Sequence, residues 1–573
     1  MKKIITLSFL CLFFSLCAFA QGVDAATLRL SDCHIVFKVN DFEAIIDDFR
    51  PLLDRVDDFM YALSYDEDAE LFDIETILRE EWLNKLFENP IVNKDGNFYL
   101  AIESLDFSGK NNVEPLVYIM VPINRDLLGE YEFDIDNESI ISGDYAVFTN
   151  ISWDEQDITE VITDVEFSLE EKIVLAIKGE FFSDFTNDIR NIAVTEAEAD
   201  LLVNPSMMML TDNIDRIEMA LYYKDDTLRF SGFTAFLADS DFGKAIKNNK
   251  ADAAAMLKYL PKNDYSLIYA LDAPSQELAD VFTDVYTASI DANFNMLLTM
   301  VDTDSFMGGE SILSEEEKAY FKEIYTKLFL STYLNSSCFA LTTPYNNVQN
   351  RAVLFAATKI PDMEEYKSLI NDFIIMIDTI MINEINKNYG GDYDKFIQER
   401  PSVSVLNAAN DFAGIEGEFL KFTITSYVED TPITISIYTA FLDENVVLCS
   451  LGRASTERFM VSNMIKAIVN VRDDGANSFL TSDEFAVLNK SILDNPYDLF
   501  VVNTPFLTAS IMDLVLDDPA GLNMMLPFIK QIDNTTTFGG ILSSSNYGNG
   551  RMNFDFSLNG SEIDFLLGIF NSF

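Results

Sequence analysis

The segment YSLIYAL (Tyr265–Leu271), followed by DAPS (Asp272–Ser275) and QELADVFTDVY (Gln276–Tyr286), sets the reading of the fold. The first seven residues carry no charge and read as a buried strand. Leu278, Val281, Phe282 and Val285 then recur at helical spacing. Between them a short polar residue, Ser275, can accept from the free amides of the helix start, and Pro274 ends the strand. The same junction occurs twice more. CHIVFKV (Cys33–Val39) meets Asn40-Asp41 and a helix carrying Phe42, Ile45, Ile46, Phe49 and Leu53. Leu499–Val502 meets Asn503-Thr504-Pro505 and a helix with Leu507, Ile511, Leu514 and Val515.

A second unit recurs around these. Arg216–Tyr223 and Leu228–Leu237 flank Lys224-Asp225-Asp226 as a hairpin, followed by Ser240 and a helix. Thr535–Ser544 and Met552–Leu558 flank Asn549-Gly550, a favoured hairpin turn, before Ser561 and a final helix with Ile563, Leu566, Leu567 and Phe570. Glu418–Tyr427, Pro432–Leu442 and Val446–Leu451 form a meander, followed by a helix with Phe459, Met460, Met464 and Ile468. Phe339–Thr343 and Ala352–Thr358 make another strand pair before a long helix after Pro361-Asp362. Ser314 to Glu317 has capping-box spacing. The expected fold class is α+β: mainly antiparallel sheets covered by long amphipathic helices, with the recurring units suggesting a duplicated domain.

At 573 residues the chain exceeds what one core usually serves, so two domains are expected, 21–250 and 251–573, divided within the polar stretch Lys247–Asp252. Met1-Lys2-Lys3, the apolar run Ile4–Leu16 and Ala18-Phe19-Ala20 read as a signal peptide, 1–20, cleaved before Gln21. The expected localisation is therefore export, periplasmic or secreted. No later apolar run reaches membrane length, and helical patterns throughout argue against an outer-membrane barrel.

The formal charge is −55, from 94 acidic and 39 basic residues. A surface so acidic repels phosphate backbones, which excludes nucleic acid as a partner. With one histidine, His34, there is little room for histidine chemistry. Neighbouring strand residues face opposite sides, so Cys33 and His34 make no natural dyad; Ile35, Phe37 and Val39 share one face and His34, Val36 and Lys38 the other. Cys33, Cys338 and Cys449 remain after signal cleavage; their number and spacing fit buried thiols better than a disulfide framework.

Motifs for phosphate binding and for a nucleophile elbow are absent. Candidate calcium ligands are Asp302, Asp304 and Glu310, with Asp134, Asp136 and Glu138 as a second group; neither matches an EF-hand loop, so the expectation is no cofactor, with calcium the one to test. Phe- and Met-rich segments, Met207–Leu210 and Met524–Leu526, fill cores readily and could also line an apolar cavity.

Leu257-Lys258-Tyr259-Leu260-Pro261, just before the strand at Tyr265, together with the repeated junctions, resembles large exported bacterial proteins of uncharacterised families. Those combine a signal peptide, duplicated strand-helix units and short Leu-Pro lead-ins to strands. The resemblance covers architecture over most of the chain and implies no activity and no functional residue. The functional expectation is an exported, noncatalytic binding or scaffold protein of the cell envelope that engages a protein or an apolar ligand. The alternatives are an apolar-ligand carrier and a carboxylate-dependent hydrolase, assisted by calcium.

Overall fold

A computed structural model describes residues 27–41, 44–45, 47–52, 55, 89–102, 117–128, 139–149, 160–192, 205–301, 312–342, 352–399, 402–408, 417–428, 431–442, 446–453, 478–515, 540–548 and 550–570. Residues 1–20, Phe42, Ile46, Leu53 and the expected helix with Phe459 lie outside that set. The chain forms two compact units, one from Met1–Lys244 with Asn549–Phe573 and one from Ala245–Gly548.

In the first unit the chain runs through β1 (Thr27–Arg29), β2 (Ile35–Asn40), β3 (Asn97–Ile102), β4 (Val117–Pro122), β5 (Ser139–Ser142), β6 (Tyr145–Thr149), β7 (Glu160–Ile162) and β8 (Ile173–Lys178). The helices α1 (Gly179–Ile192) and α2 (Pro205–Thr211) follow, then β9 (Ile214–Lys224) and β10 (Thr227–Phe236). Strands β1 and β7 pair in parallel as a small separate ribbon. The main sheet is antiparallel in the order β5-β6-β4-β3-β2-β8-β9-β10. The turn between β9 and β10 is where the sequence puts it, and Asp225 and Asp226 take φ of 50° and 60°, as a tight hairpin turn requires.

Alternation along β2 sorts the two faces as expected. Ile35, Phe37 and Val39 pack on one side, where Ile45 and Phe49 of the helical residues 44–45 and 47–52 meet Ile173 and Tyr223. Val36 packs on the other with Leu30, Cys33, Tyr99, Ala101, Tyr118 and Met120. That second face is roofed by the irregular segment 163–170, with Val165 and Phe167 packed against it.

The second unit contains β11 (Tyr265–Leu271), α3 (Gln276–Val301), α4 (Glu315–Tyr333), β12 (Ser337–Thr342), β13 (Leu354–Lys359) and α5 (Met363–Asn388). It continues with β14 (Ser402–Asn407), β15 (Glu418–Val428), β16 (Thr431–Leu442), β17 (Val446–Arg453), β18 (Asp498–Val502), α6 (Thr504–Val515) and β19 (Ile541–Gly548). Its sheet is antiparallel in the order β14-β15-β16-β17-β13-β12-β11-β18-β19. One face holds the largest core, with Ile268, Ala340, Phe355, Tyr438 and Leu499; the Leu-Pro lead-in joins it through fully buried Leu257 and Leu260. Among the long helices α3, α4 and α5, a separate cluster forms around Phe294, Phe321 and Met376.

The chain then returns to the first unit. Its last strand, β20 (Arg551–Asn559), pairs along its whole length with β10 and leads into α7 (Gly560–Phe570). The sequence reading assigns this segment to the C-terminal domain and divides the chain at 250/251; by contacts, 549–573 goes with the first unit.

The strand order recurs. In both sheets the opening strand (β2, β11) lies beside its successor (β3, β12), and the third strand (β4, β13) lies beyond. On the opening strand's other side sits a late strand (β8, β18), followed in sequence by a helix (α1, α6) and then by the next strand outward (β9, β19). The three strand-to-helix junctions read from sequence are all capped as expected. Asp41 accepts from the Ala44 amide at 3.1 Å, Ser275 from Leu278 at 3.4 Å and Asn503 from Phe506 at 3.2 Å. One helix face differs from expectation: α6 buries Ala509 and Ser510 and leaves Ile511 half exposed. Ser510 Oγ lies 2.9 Å from Ser266 Oγ and donates to Thr342 O at 3.1 Å, so small hydroxyl residues bring helix and sheet close.

Candidate functional site

Strand pairing in the first unit draws three basic groups into one row. The amide of Lys178 donates to the His34 carbonyl at 2.9 Å, and Lys178 stands directly opposite Arg216 on β9. Opposed residues in an antiparallel pair share a face, so His34, Lys178 and Arg216 project to the side that carries Val36, Ala176 and Glu218. A cavity of about 290 Å³ lies there, lined by His34, Lys178 and Arg216, by the acids Asp164 and Glu166, and by Ser31 with the apolar Leu30, Cys33, Val36, Val165, Ala176 and Ile177. A wider cleft of about 700 Å³ shares Lys178 and Arg216 and opens along the start of α1, past Glu180, Ser183 and Asp215.

The roof is fixed by buried polar contacts. Glu218 is fully buried, and its Oε2 accepts from the amides of Ser168 at 2.8 Å and Leu169 at 3.2 Å. Its Oε1 pairs with Arg216 Nη2 at 2.7 Å, and Nη2 also donates to the Glu166 carbonyl at 2.8 Å. Asp164 accepts from Ser31 N at 3.0 Å, Ser31 Oγ at 2.9 Å and Arg29 Nη1 at 3.2 Å. Burial works against that carboxylate, but these hydrogen bonds outweigh it and hold its pKa below the ordinary value. Lys38 sits 4.7 Å over the Phe167 ring, and burial lowers its pKa despite Glu218, Glu171 and Glu170.

His34 is mostly buried. Burial lowers its pKa; Asp184 and Glu180 oppose the shift and Lys178 adds to it. Its Nε2 is 3.8 Å from Asp184 Oδ2, too long for a hydrogen bond. His34 Nδ1 and Arg216 Nε are both buried and have no hydrogen-bond partner among the described residues. Lys178 makes no ion pair among them either.

Cys33 and His34 do line the same cavity, contrary to the strand argument, because β2 begins only at Ile35 and Cys33 closes a single 3-10 turn, Leu30–Asp32. The Cys33 thiol donates to the Arg29 carbonyl at 3.7 Å. None of Cys33, Cys338 and Cys449 is in a disulfide; burial pushes Cys338 up to about 12 and raises Cys449. Asp302, Asp304 and Glu310, and likewise Asp134, Asp136 and Glu138, lie outside the described residues. Among the described residues no group of three or more His, Cys, Asp or Glu side chains could hold a metal ion. No helix among them is long and apolar enough to cross a membrane.

In the second unit Asp498 has its pKa raised by burial against hydrogen bonds from Ser545, whose hydroxyl donates at 2.5 Å. Beside it Tyr497 stacks edge-on with Tyr547 at 4.7 Å. Asp498 lines neither cavity above and is part of the packing between β18 and β19.

Sequence reasoning considered His34 and set it aside as a structural or surface histidine, and it did not single out Lys178, Arg216, Glu218 or Asp164. The apolar run Ile173–Ile177 could have marked Lys178 as the polar end of a strand, yet nothing local announces that His34, more than a hundred positions away, or Arg216 is its cross-strand neighbour. Compared with family models, with curated proteins and with solved structures, the chain matches none.

Proposed function

We propose that this chain is an exported, noncatalytic binding protein of the cell envelope, periplasmic or secreted, and that the His34–Lys178–Arg216 cavity is its binding site. The leader pattern Met1–Ala20 supports export, and the resemblance to exported bacterial proteins of uncharacterised families agrees with it. One observation carries the choice of site: two buried nitrogens without partners, His34 Nδ1 and Arg216 Nε, belong to residues lining one cavity. A buried polar atom left unpaired costs free energy, so such a pair marks a place where a ligand restores the missing bonds.

Two of the neighbouring acids, Glu218 and Asp164, are engaged in a way that favours binding over catalysis, while Glu166 on the same wall is exposed. Glu218 is committed to two backbone amides and to Arg216, Asp164 to Ser31 and Arg29, and the Cys33 thiol to a backbone carbonyl. The recurrent strand order we read as an ancient internal duplication, with a binding cavity retained in the first unit.

The test is a thermal-shift screen of the protein from Gln21 onward against calcium, fatty acids, phospholipids and oligosaccharides, run on the wild type and on Ala176→Leu, which fills the cavity. A ligand of the native state raises the melting temperature by mass action. The reading predicts a stabilising ligand whose effect is lost in Ala176→Leu. Stabilisation untouched by that substitution, or turnover of any of the compounds, overturns it.

A further inference from the structure

We propose that β14 is a self-association edge, at which a second copy of this chain continues the second unit's sheet by antiparallel strand pairing. β14 (Ser402–Asn407) ends that sheet and pairs with β15 alone among the described residues. Nothing else described hydrogen-bonds the backbone of Ser402–Leu406, so one side of the strand keeps its donors and acceptors unused. An open edge is a template for another strand, and monomers protect it with a charge, a Pro, a bulge or a short length. β14 has none of these. Its six residues, SVSVLN, carry no charge and no Pro, and its register with β15 runs from Ser402–Thr425 to Asn407–Leu420 without a shift. By contrast β5, which ends the first unit's sheet, has only four residues. Ser404 and Leu406 are exposed, Leu406 by 60%. α5 lies on a face of the sheet and not along this edge. Its Met363 and Tyr366 pack with Leu420, which stands opposite Asn407 on the face that Val403 and Val405 share.

Charge and symmetry choose the occupant. A chain of charge −55 attracts basic partners in general, but a basic strand would find no acid on β14. The charge beside it on β15 is Lys421, opposite Leu406. An uncharged strand is instead where two equally acidic copies can touch, since no register sets like charges opposite one another. A two-fold axis perpendicular to the sheet preserves its faces, so Val403 and Val405 of one copy lie on the same face as those of the other, where β-branched side chains pack well. Six residues of strand fall short of a standard interface, so the dimer is weak, opposed by net charge and strengthened when salt screens it. Ile375 and Ile382, exposed on α5, are the competing apolar surface, and nothing in the structure shows what covers them.

Sedimentation velocity of the protein from Gln21 onward, across a dilution series at low and at high salt, tests this. The expected result is a monomer–dimer equilibrium that tightens as salt is added. Ser404→Glu and Leu406→Glu, both at exposed positions, add like charge to the edge and weaken the dimer by about tenfold or more. Ile382→Glu on α5 leaves it unchanged. Amide hydrogen exchange of 402–407 in the wild type slows as concentration rises, a reading that needs no variant. A monomer at every concentration overturns the proposal. So does a dimer that both edge substitutions leave untouched, or one that only Ile382→Glu abolishes. A dimer that loosens with salt would be held by opposite charges and overturns the uncharged edge as its seat.

Discussion

Arg216 and Glu218 stand two residues apart on β9, on the same face, and Arg216 Nη2 meets the fully buried Glu218 Oε1 at 2.7 Å. This pair fastens the segment 166–169 over the sheet and holds Arg216 at the cavity wall. Removing one partner of a buried pair leaves the other uncompensated, which typically costs about 3–5 kcal/mol. Glu218→Ala is therefore expected to lower unfolding free energy by about that amount, and Glu218→Gln, which keeps an acceptor for the two amides, by less. Urea denaturation of the two variants checks the order; equal and small losses would show that the roof does not depend on Glu218.

The imidazole of His34 has its pKa lowered, chiefly by burial, against Asp184 and Glu180 and with Lys178. The unfolded chain then binds that proton more readily than the folded one. The stability His34 contributes is full above its ordinary pKa of 6.5 and falls as pH drops through that value toward the folded one. The stability difference between wild type and His34→Gln should thus shift in favour of the wild type from about pH 5 to about pH 7.5. A difference that shifts the other way would mean the ring is held as the cation.

Burial of Cys33 and Cys338, and the raised thiols of Cys338 and Cys449, predict slow thiolate chemistry. In the native protein from Gln21 onward a chromogenic disulfide reagent should leave Cys33, Cys338 and Cys449 unmodified over minutes, and in denaturant it should titrate all three. Two cysteines missing from the denatured titration would indicate a disulfide and contradict the free thiols found here.

Gly179 joins β8 to α1 on the wall of the wider cleft. A Cβ there would fall 1.8 Å from the Ile214 carbonyl oxygen and 2.6 Å from its carbon, both backbone atoms that cannot swing aside. Gly179→Ala is expected to destabilise by roughly 3 kcal/mol or more, among the larger single-residue effects. A melting temperature unchanged by the substitution would show that β9 can retreat at this point.

Much of the fold was legible where the signal is local. The strand-to-helix junctions at Asn40-Asp41, Ser275 and Asn503 appear with their caps, because a period change and a side-chain acceptor lie within a few residues of each other. The face sorting of Ile35, Phe37 and Val39 followed from alternation alone. Pairing between distant strands was not legible. Nothing in Arg551–Asn559 specifies Thr227–Ala235 as its neighbour, so the pairing of the last strand with β10 could not be read from the sequence. For the same reason the row His34–Lys178–Arg216 was invisible: each residue looks ordinary in its own strand, and only the register brings them together. On α6 the hydrophobic pattern misled, since close packing against the sheet selected Ala509 and Ser510 over Ile511.

The chain's one histidine is also its best reporter, since selective nitrogen-15 labelling of histidine yields signals from a single imidazole, that of His34. The central claim is that ligands bind in the cavity His34 lines. Ring nitrogen shifts recorded near neutral pH, before and after adding any compound that stabilises the protein, test it directly. The account predicts a neutral ring in the free protein and a displaced Nδ1 resonance in the bound one. A stabilising ligand that leaves both ring nitrogens where they were would contradict it.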